Sequence, residues 1–132
     1  MVTLCLTDLP ETYPGVTFLT HNLGRNIPVE LERLDHRSVE RHPDQELPSS
    51  RFRRTPVMVD CNSFGPRAIE RAVEVFGAEK IVFGSDGSEF GVDWSLRAVA
   101  DAHIDDAAKQ AILSGNAAAL LDRLTGLREA AE

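Results

Sequence analysis

The stretch KIVFGSDGSEFG, residues 80–91, decides the fold. Its first half is apolar, with branched and aromatic side chains, and residues 80–84 read as a short strand buried on both faces. The run then stops at Gly84-Ser85-Asp86. A buried strand has no need of a carboxylate at its tip, whereas a metal site or a proton-transfer site does. Two further runs share this character: VTFLT at 16–20, bounded by Pro14-Gly15, and PVMVD at 56–60.

Helical patterns separate and follow these strands. Asn26 is placed to cap a helix with Pro28 in its first turn, and Ile27, Leu31 and Leu34 trace one face that weakens at Ser38. Pro66 opens a second helix, with Ile69, Ala72, Val73 and Phe76 at helical spacing and Gly77 to end it. Residues 94–100 and 105–114 read as helices, the latter stopped by Gly115. Asn116 is expected to cap a last helix carrying Ala119, Leu120 and Leu124, with residues 126–132 fraying. The polar segment 41–55, RHPDQELPSSRFRRT, has two prolines and no periodicity and reads as a long surface loop.

The order strand, helix, loop, strand, helix, strand, helices predicts an α/β domain with parallel strands joined by right-handed crossovers. In such folds the working residues sit at the C-terminal ends of strands. Those ends carry His21, then Asp60-Cys61-Asn62, then Ser85-Asp86, so three polar clusters emerge from one sheet edge.

Bulk properties narrow the function. With 132 residues the chain has room for one ordinary domain, here 1–132. A net charge of −7 argues against nucleic acid or an anionic membrane as partner. Arg51, Arg53 and Arg54 form the one basic cluster and read as a solvated loop. Cys5 and Cys61 have no metal-binding or redox spacing and read as reduced thiols of a cytoplasmic protein. No apolar run reaches the ~18 residues of a membrane span. The start, MVTLCLTDLPETYPG, lacks the pattern of a signal peptide.

Each candidate residue admits two readings. Asp86 could bind a divalent cation or accept a proton from bound water, or it could cap the turn through Gly87 and Ser88. His21 could be an acid/base group, a ligand or a carbonyl polariser, or a loop histidine bonded to backbone. Asp60 could line the pocket, orient His21 or cap the turn that follows it. Cys61 has no evident base beside it and is a poor nucleophile. His36, His42 and His103 read as surface residues, Glu89 and Asp93 as solvated loop carboxylates, and Trp94 as a core or interface residue. GSDGSEFG fits neither the Walker nor the Rossmann pattern.

Several segments, in order, resemble the C-terminal part of the amidohydrolase-related family, which includes aminocarboxymuconate-semialdehyde decarboxylase and benzoate-type decarboxylases. They are YPGVTFLTHNLGRNIPVELERLDHR, LPSSRFRRTPVMVD, AIERAVEVFGAEKIVFGSDG and KQAILSGNAAALL, running over about residues 10–125. The resemblance implies the last three strands of a TIM-like (β/α)8 barrel. It implies a divalent metal, often zinc, with Asp86 as a ligand that can also handle a proton. It places His21 near the substrate as acid/base or electrostatic aid, while Asp60, Asn62 and Ser85, from their place at the strand ends, are the expected substrate-binding residues. The expected activity is hydrolysis or non-oxidative decarboxylation of a small carboxylated, often aromatic, compound. The alternative is a non-catalytic remnant acting as an interaction or regulatory subunit. Two differences stand out: the turn HNLGRNIP is longer than the family's, and Gly87-Ser88 replaces its Tyr-Pro. The family's His-x-His has no counterpart here, so the ligand set is short of the three that a catalytic metal needs. An open sheet of this kind is expected to pair, either as a homo-oligomer or with a second chain that completes the barrel.

Overall fold

The computed structural model describes residues 1–62 and 64–129. Two short helices, α1 (Val2–Leu6) and α2 (Leu9–Thr12), precede strand β1 (Phe18–Thr20). Then come α3 (Ile27–Arg41), α4 (Pro48–Arg54), β2 (Val57–Asp60), α5 (Pro66–Phe76) and β3 (Ile81–Val82). The chain closes with α6 (Val92–Asp101), α7 (Asp106–Gln110), a π turn (Ala111–Gly115) and α8 (Asn116–Glu129). The strands form one parallel sheet in the order β1-β2-β3. The strands are shorter than the sequence implies, because Val16, Thr17, Pro56 and Lys80 precede the paired segments and Phe83 and Gly84 follow them.

Alternation divides the sheet into two faces. Phe18 registers with Val57, and Val59 with Ile81, which puts all four on one side. Val57, Val59 and Ile81 are fully buried there, in a core shared with Leu31, Phe52, Ile69, Phe76, Val99 and Ile112 of the helical layer. The Phe52 and Phe76 rings meet at 4.6 Å. Leu19 and Met58 share the opposite face, where Leu19 is 48% exposed and Met58 half-buried. The helices therefore cover one face of the sheet well and leave the other partly open.

Prolines start the helices where the sequence places them. Pro10, Pro28, Pro48 and Pro66 all sit in first turns, where a missing N–H costs nothing. Gly77, at φ 91°, ends α5 as expected. Asn26 precedes α3, but its side chain makes no capping bond.

Four expectations change. Segment 41–55 is not a continuous loop: Arg41 ends α3, and α4 occupies Pro48–Arg54, with Phe52 and Pro48 buried. One aromatic anchor in seven residues shows no periodicity, so the helix was invisible. Its arginines are not free in solvent either. Arg54 donates to Glu46 at 2.6 and 2.8 Å and to Glu11 at 2.7 Å, tying α4 to α2. Gly115 does not stop a helix, and Asn116 is no cap, since its backbone is helical at φ −68° and ψ −39°. Asn116 instead donates its amide to the carbonyls of Ala78 at 2.8 Å and Ile81 at 2.7 Å, latching α8 beneath β3. The tail expected to fray from Gly126 stays helical through Glu129, in line with its Leu, Arg and Glu content, and residues 130–132 lie outside the described residues. Among the described residues no helix is long and apolar enough to cross a membrane.

Candidate active site

The site is built where the three strands stop. β1 ends at Thr20, and His21 continues in extended backbone (φ −75°, ψ 158°). The chain then reverses through four consecutive residues with positive φ: Asn22 at 56°, Leu23 at 50°, Gly24 at 68° and Arg25 at 61°. Three of these carry side chains, and each costs on the order of 1 kcal/mol of backbone strain. Buried Leu23 anchors the turn in the core. Gly24 takes its φ of 68° without strain, and an added Cβ there would lie 3.1 Å from the Met1 side chain, which would have to give way by a few tenths of an ångström.

Asp60, at the tip of β2, holds the turn in place. Its Oδ1 accepts the Asn22 N–H at 2.8 Å and the Asn62 N–H at 3.3 Å. Its Oδ2 lies 3.3 Å from His21 Nδ1. A carboxylate oxygen only accepts, so the ring nitrogen facing it carries hydrogen and Nε2 is left as the exchangeable site. The His21 side chain is 81% exposed while that of Asp60 is 11% exposed. A buried carboxylate thus orients an accessible imidazole, which is the arrangement a general acid/base needs.

The tip of β3 closes against the same carboxylate. A Cβ on Gly84 would come within 2.9 Å of Asp60 Cβ and 3.5 Å of Asn62 Cβ, so glycine is what lets β3 pack beside β2 here. The Cys61 N–H donates to the Val82 carbonyl at 3.1 Å, extending the pairing past the strands. Burial pushes the Cys61 thiol above its usual range, which agrees with its reading as a poor nucleophile.

Ser85 is half-buried and Asp86 exposed. Asp86 has the fourth non-glycine positive φ of the described residues, 47°. Its backbone carbonyl, not its carboxylate, anchors the next turn by accepting the N–H groups of Glu89 at 2.9 Å and Phe90 at 3.0 Å. Among the described residues no hydrogen bond or ion pair engages the Asp86 carboxylate or links it to His21. The structure therefore brings His21, Asp60, Asn62 and Gly84 together directly, and sets Ser85 and Asp86 just beyond them. His36, His42 and His103 are exposed, as expected. Trp94 is 54% exposed and so is not a core residue.

Two features went unread in the sequence: the strained turn at 22–25 and the close approach that fixes Gly84. The first left a visible signal, the unusual length of HNLGRNIP. The second left none, since a glycine before Ser-Asp reads equally well as turn chemistry.

The described residues do not fit a catalytic divalent cation by themselves. Among them no group of three or more His, Cys, Asp or Glu side chains could hold a metal ion. His21 is engaged through Nδ1, and Asp86 stands apart as one carboxylate.

The chain belongs to the amidohydrolase family, whose model, Amidohydro_2, matches residues 3–123. No curated protein matches the chain. Among solved structures, it is similar to 5-carboxyvanillate decarboxylase from Sphingomonas paucimobilis, with 24% identity and a TM-score of 0.73 over 89% of this chain and 37% of that one. It is also similar to a dihydroxybenzoic acid decarboxylase from a Polaromonas species, solved with bound manganese and 2-nitroresorcinol, with 21% identity and a TM-score of 0.78 over 92% of this chain and 38% of that one. A 2,6-dihydroxybenzoate decarboxylase from Rhizobium matches at 20% identity and a TM-score of 0.73, over 85% of this chain and 36% of that one. The chain thus spans just over a third of the length of these structures. Its fold is the corresponding three-stranded part of their (β/α)8 barrel.

Proposed function

We propose that this chain forms the proton-transfer edge of an amidohydrolase-fold enzyme that decarboxylates or hydrolyses a small aromatic carboxylate. The observation that carries the proposal is Asp60: one buried carboxylate orients the His21 ring and also pins the turn that presents it. His21 would hold and deliver a proton at Nε2, to the ring carbon in a decarboxylation or to the leaving group in a hydrolysis. Asp60 keeps the imidazole in one tautomer and stabilises it when doubly protonated. In this reading Asp60 acts behind His21, and Asn62 and Ser85 line the substrate side.

A divalent cation belongs to the proposal as well, and Asp86 is the one ligand this chain would contribute. Manganese, as in the Polaromonas structure, or zinc would supply electrostatic stabilisation of substrate oxygens. Because the described residues alone do not form the site, the other ligands would come from the rest of a barrel, supplied by a second polypeptide or a second copy. The partly open sheet face carrying Leu19 and Met58 supports such pairing. Two buried free thiols suit a reducing, cytoplasmic setting.

The test is carbon dioxide release from 2,6-dihydroxybenzoate and 5-carboxyvanillate, with manganese or zinc added, by the purified chain and by any complex it forms. Turnover lost at least 100-fold in both His21→Gln and Asp86→Asn supports the proposal. Turnover that survives both substitutions contradicts it. A complex without metal or turnover favours the non-catalytic subunit.

A further inference from the structure

A mixed-polarity hollow beside the helical layer lies away from the strand tips. It occupies about 410 Å³ between α1, the last turns of α3 and the start of α4. α3 is fifteen residues long and begins just after the His21 turn. Its far end therefore lies roughly 20 Å away, at ~1.5 Å per residue.

The wall has two characters. Leu6, Leu34 and Pro48 make an apolar floor, and Leu6 is exposed although its neighbour Cys5 is buried. Arg37, Arg41 and Arg51 line the same hollow. Arg37 and Arg41 form no ion pair with any acid among the described residues. Arg51 is mostly buried and ion-paired with Glu11 at 3.6 Å and Glu46 at 3.7 Å, yet its Nε–H makes no hydrogen bond. Glu46 is the acid on the lining, and it is committed to Arg54 through bonds of 2.6 and 2.8 Å. Burial pushes the Cys5 thiol up to about 11, so it adds no negative charge at neutral pH.

In a chain of net charge −7, three arginines facing one apolar hollow are an electrostatic exception. Beside Arg37 and Arg41, the buried Arg51 Nε–H is ion-paired but lacks a hydrogen bond, so it can still take an acceptor. We infer that this hollow binds a small amphipathic carboxylate, with its apolar body on Leu6, Leu34 and Pro48 and its carboxylate among Arg37, Arg41 and Arg51. The charge complementarity selects an anion over a neutral apolar molecule, and the volume suits a small organic acid. This inference is independent of the function proposed for the strand tips.

The probes are octanoate and its uncharged counterpart octanol, titrated into the isotopically labelled full chain and followed through the Val2, Leu6 and Leu34 methyl resonances. Octanoate is expected to saturate these shifts at a concentration at least tenfold below octanol. The double substitution Arg37→Gln/Arg41→Gln should weaken octanoate at least tenfold and leave octanol within twofold. Ser38→Phe, which narrows the hollow without touching its charge, should weaken both while the methyl spectrum stays folded. Equal affinity for the two probes, octanoate binding unchanged in the double variant, or shifts confined to other parts of the chain would each overturn the inference. A hollow filled by another polypeptide segment would show itself as octanoate failing to bind until that segment is removed, and this too would overturn it.

Discussion

Replacing Asp60 with alanine tests the strand-tip architecture through stability alone. The substitution deprives the Asn22 N–H of an acceptor at 2.8 Å and the Asn62 N–H of one at 3.3 Å. Hydrogen bonds to charged groups contribute about 1.5–3 kcal/mol each, and the longer, poorer one falls below that range. The contact with His21 adds little, because the imidazole is largely exposed. About 2 kcal/mol for the first bond and about 1 for the second give a loss of ~3 kcal/mol. Release of strain at Asn22, Leu23 and Arg25 offsets part of this, leaving about 2 kcal/mol. With a urea slope near ~1.5 kcal/mol per molar, the unfolding midpoint should fall by more than ~1 M. Asp60→Asn keeps an oxygen for the two N–H groups and should lose only ~1 kcal/mol. Urea titration followed by circular dichroism reads both. An alanine variant within ~0.5 kcal/mol of the parent would refute the claim that this carboxylate holds the turn.

Three further outcomes follow from the packing and titration. Phe52→Ala should lose ~3–5 kcal/mol, measured by urea unfolding, because its fully buried ring packs at a tilt against Phe76; a loss under ~1 kcal/mol would return segment 41–55 to a surface loop. Arg25→Gly should gain about 0.5–1 kcal/mol in thermal unfolding, since exposed Arg25 sits at φ 61° and ψ −118°, a region that favours glycine; destabilisation would show that the side chain is needed there. Burial raises the Cys5 thiol from 9.0 to about 11, so the unfolded chain gives up this proton first. Its stabilisation is complete below pH 9 and declines as pH climbs to about 11, and Cys5→Ala should remove that share of the decline in pH-dependent unfolding.

The strand ends were the most legible part of the molecule. VTFLT, PVMVD and KIVFG each mark a strand correctly because a sheet buried on its core face selects branched and aromatic residues, and parity then forces His21 and Asp60 onto one face. α5 matched its expected bounds, since four apolar residues at helical spacing lie between a proline and a glycine. α4 escaped notice because its hold on the core is Phe52 plus two arginines whose partners, Glu11 and Glu46, come from other segments. The continuous run from α7 into α8 escaped for a related reason. Gly115 and Asn116 carry strong local stop and cap signals, and the tertiary bonds from Asn116 to Ala78 and Ile81 override them. For the site, position on the sheet edge was readable but partnership was not: the His21–Asp60 contact spans 39 residues and depends on the register of β1 against β2.

The His21 tautomer is the most direct test of the site. Long-range nitrogen–proton correlation at neutral pH should show the hydrogen on Nδ1 facing Asp60, and Asp60→Asn should move it toward Nε2 as the new amide donates to the ring. An imidazole with its hydrogen on Nε2 in the parent chain, unmoved by that substitution, would contradict the oriented acid/base pair on which the proposed chemistry stands.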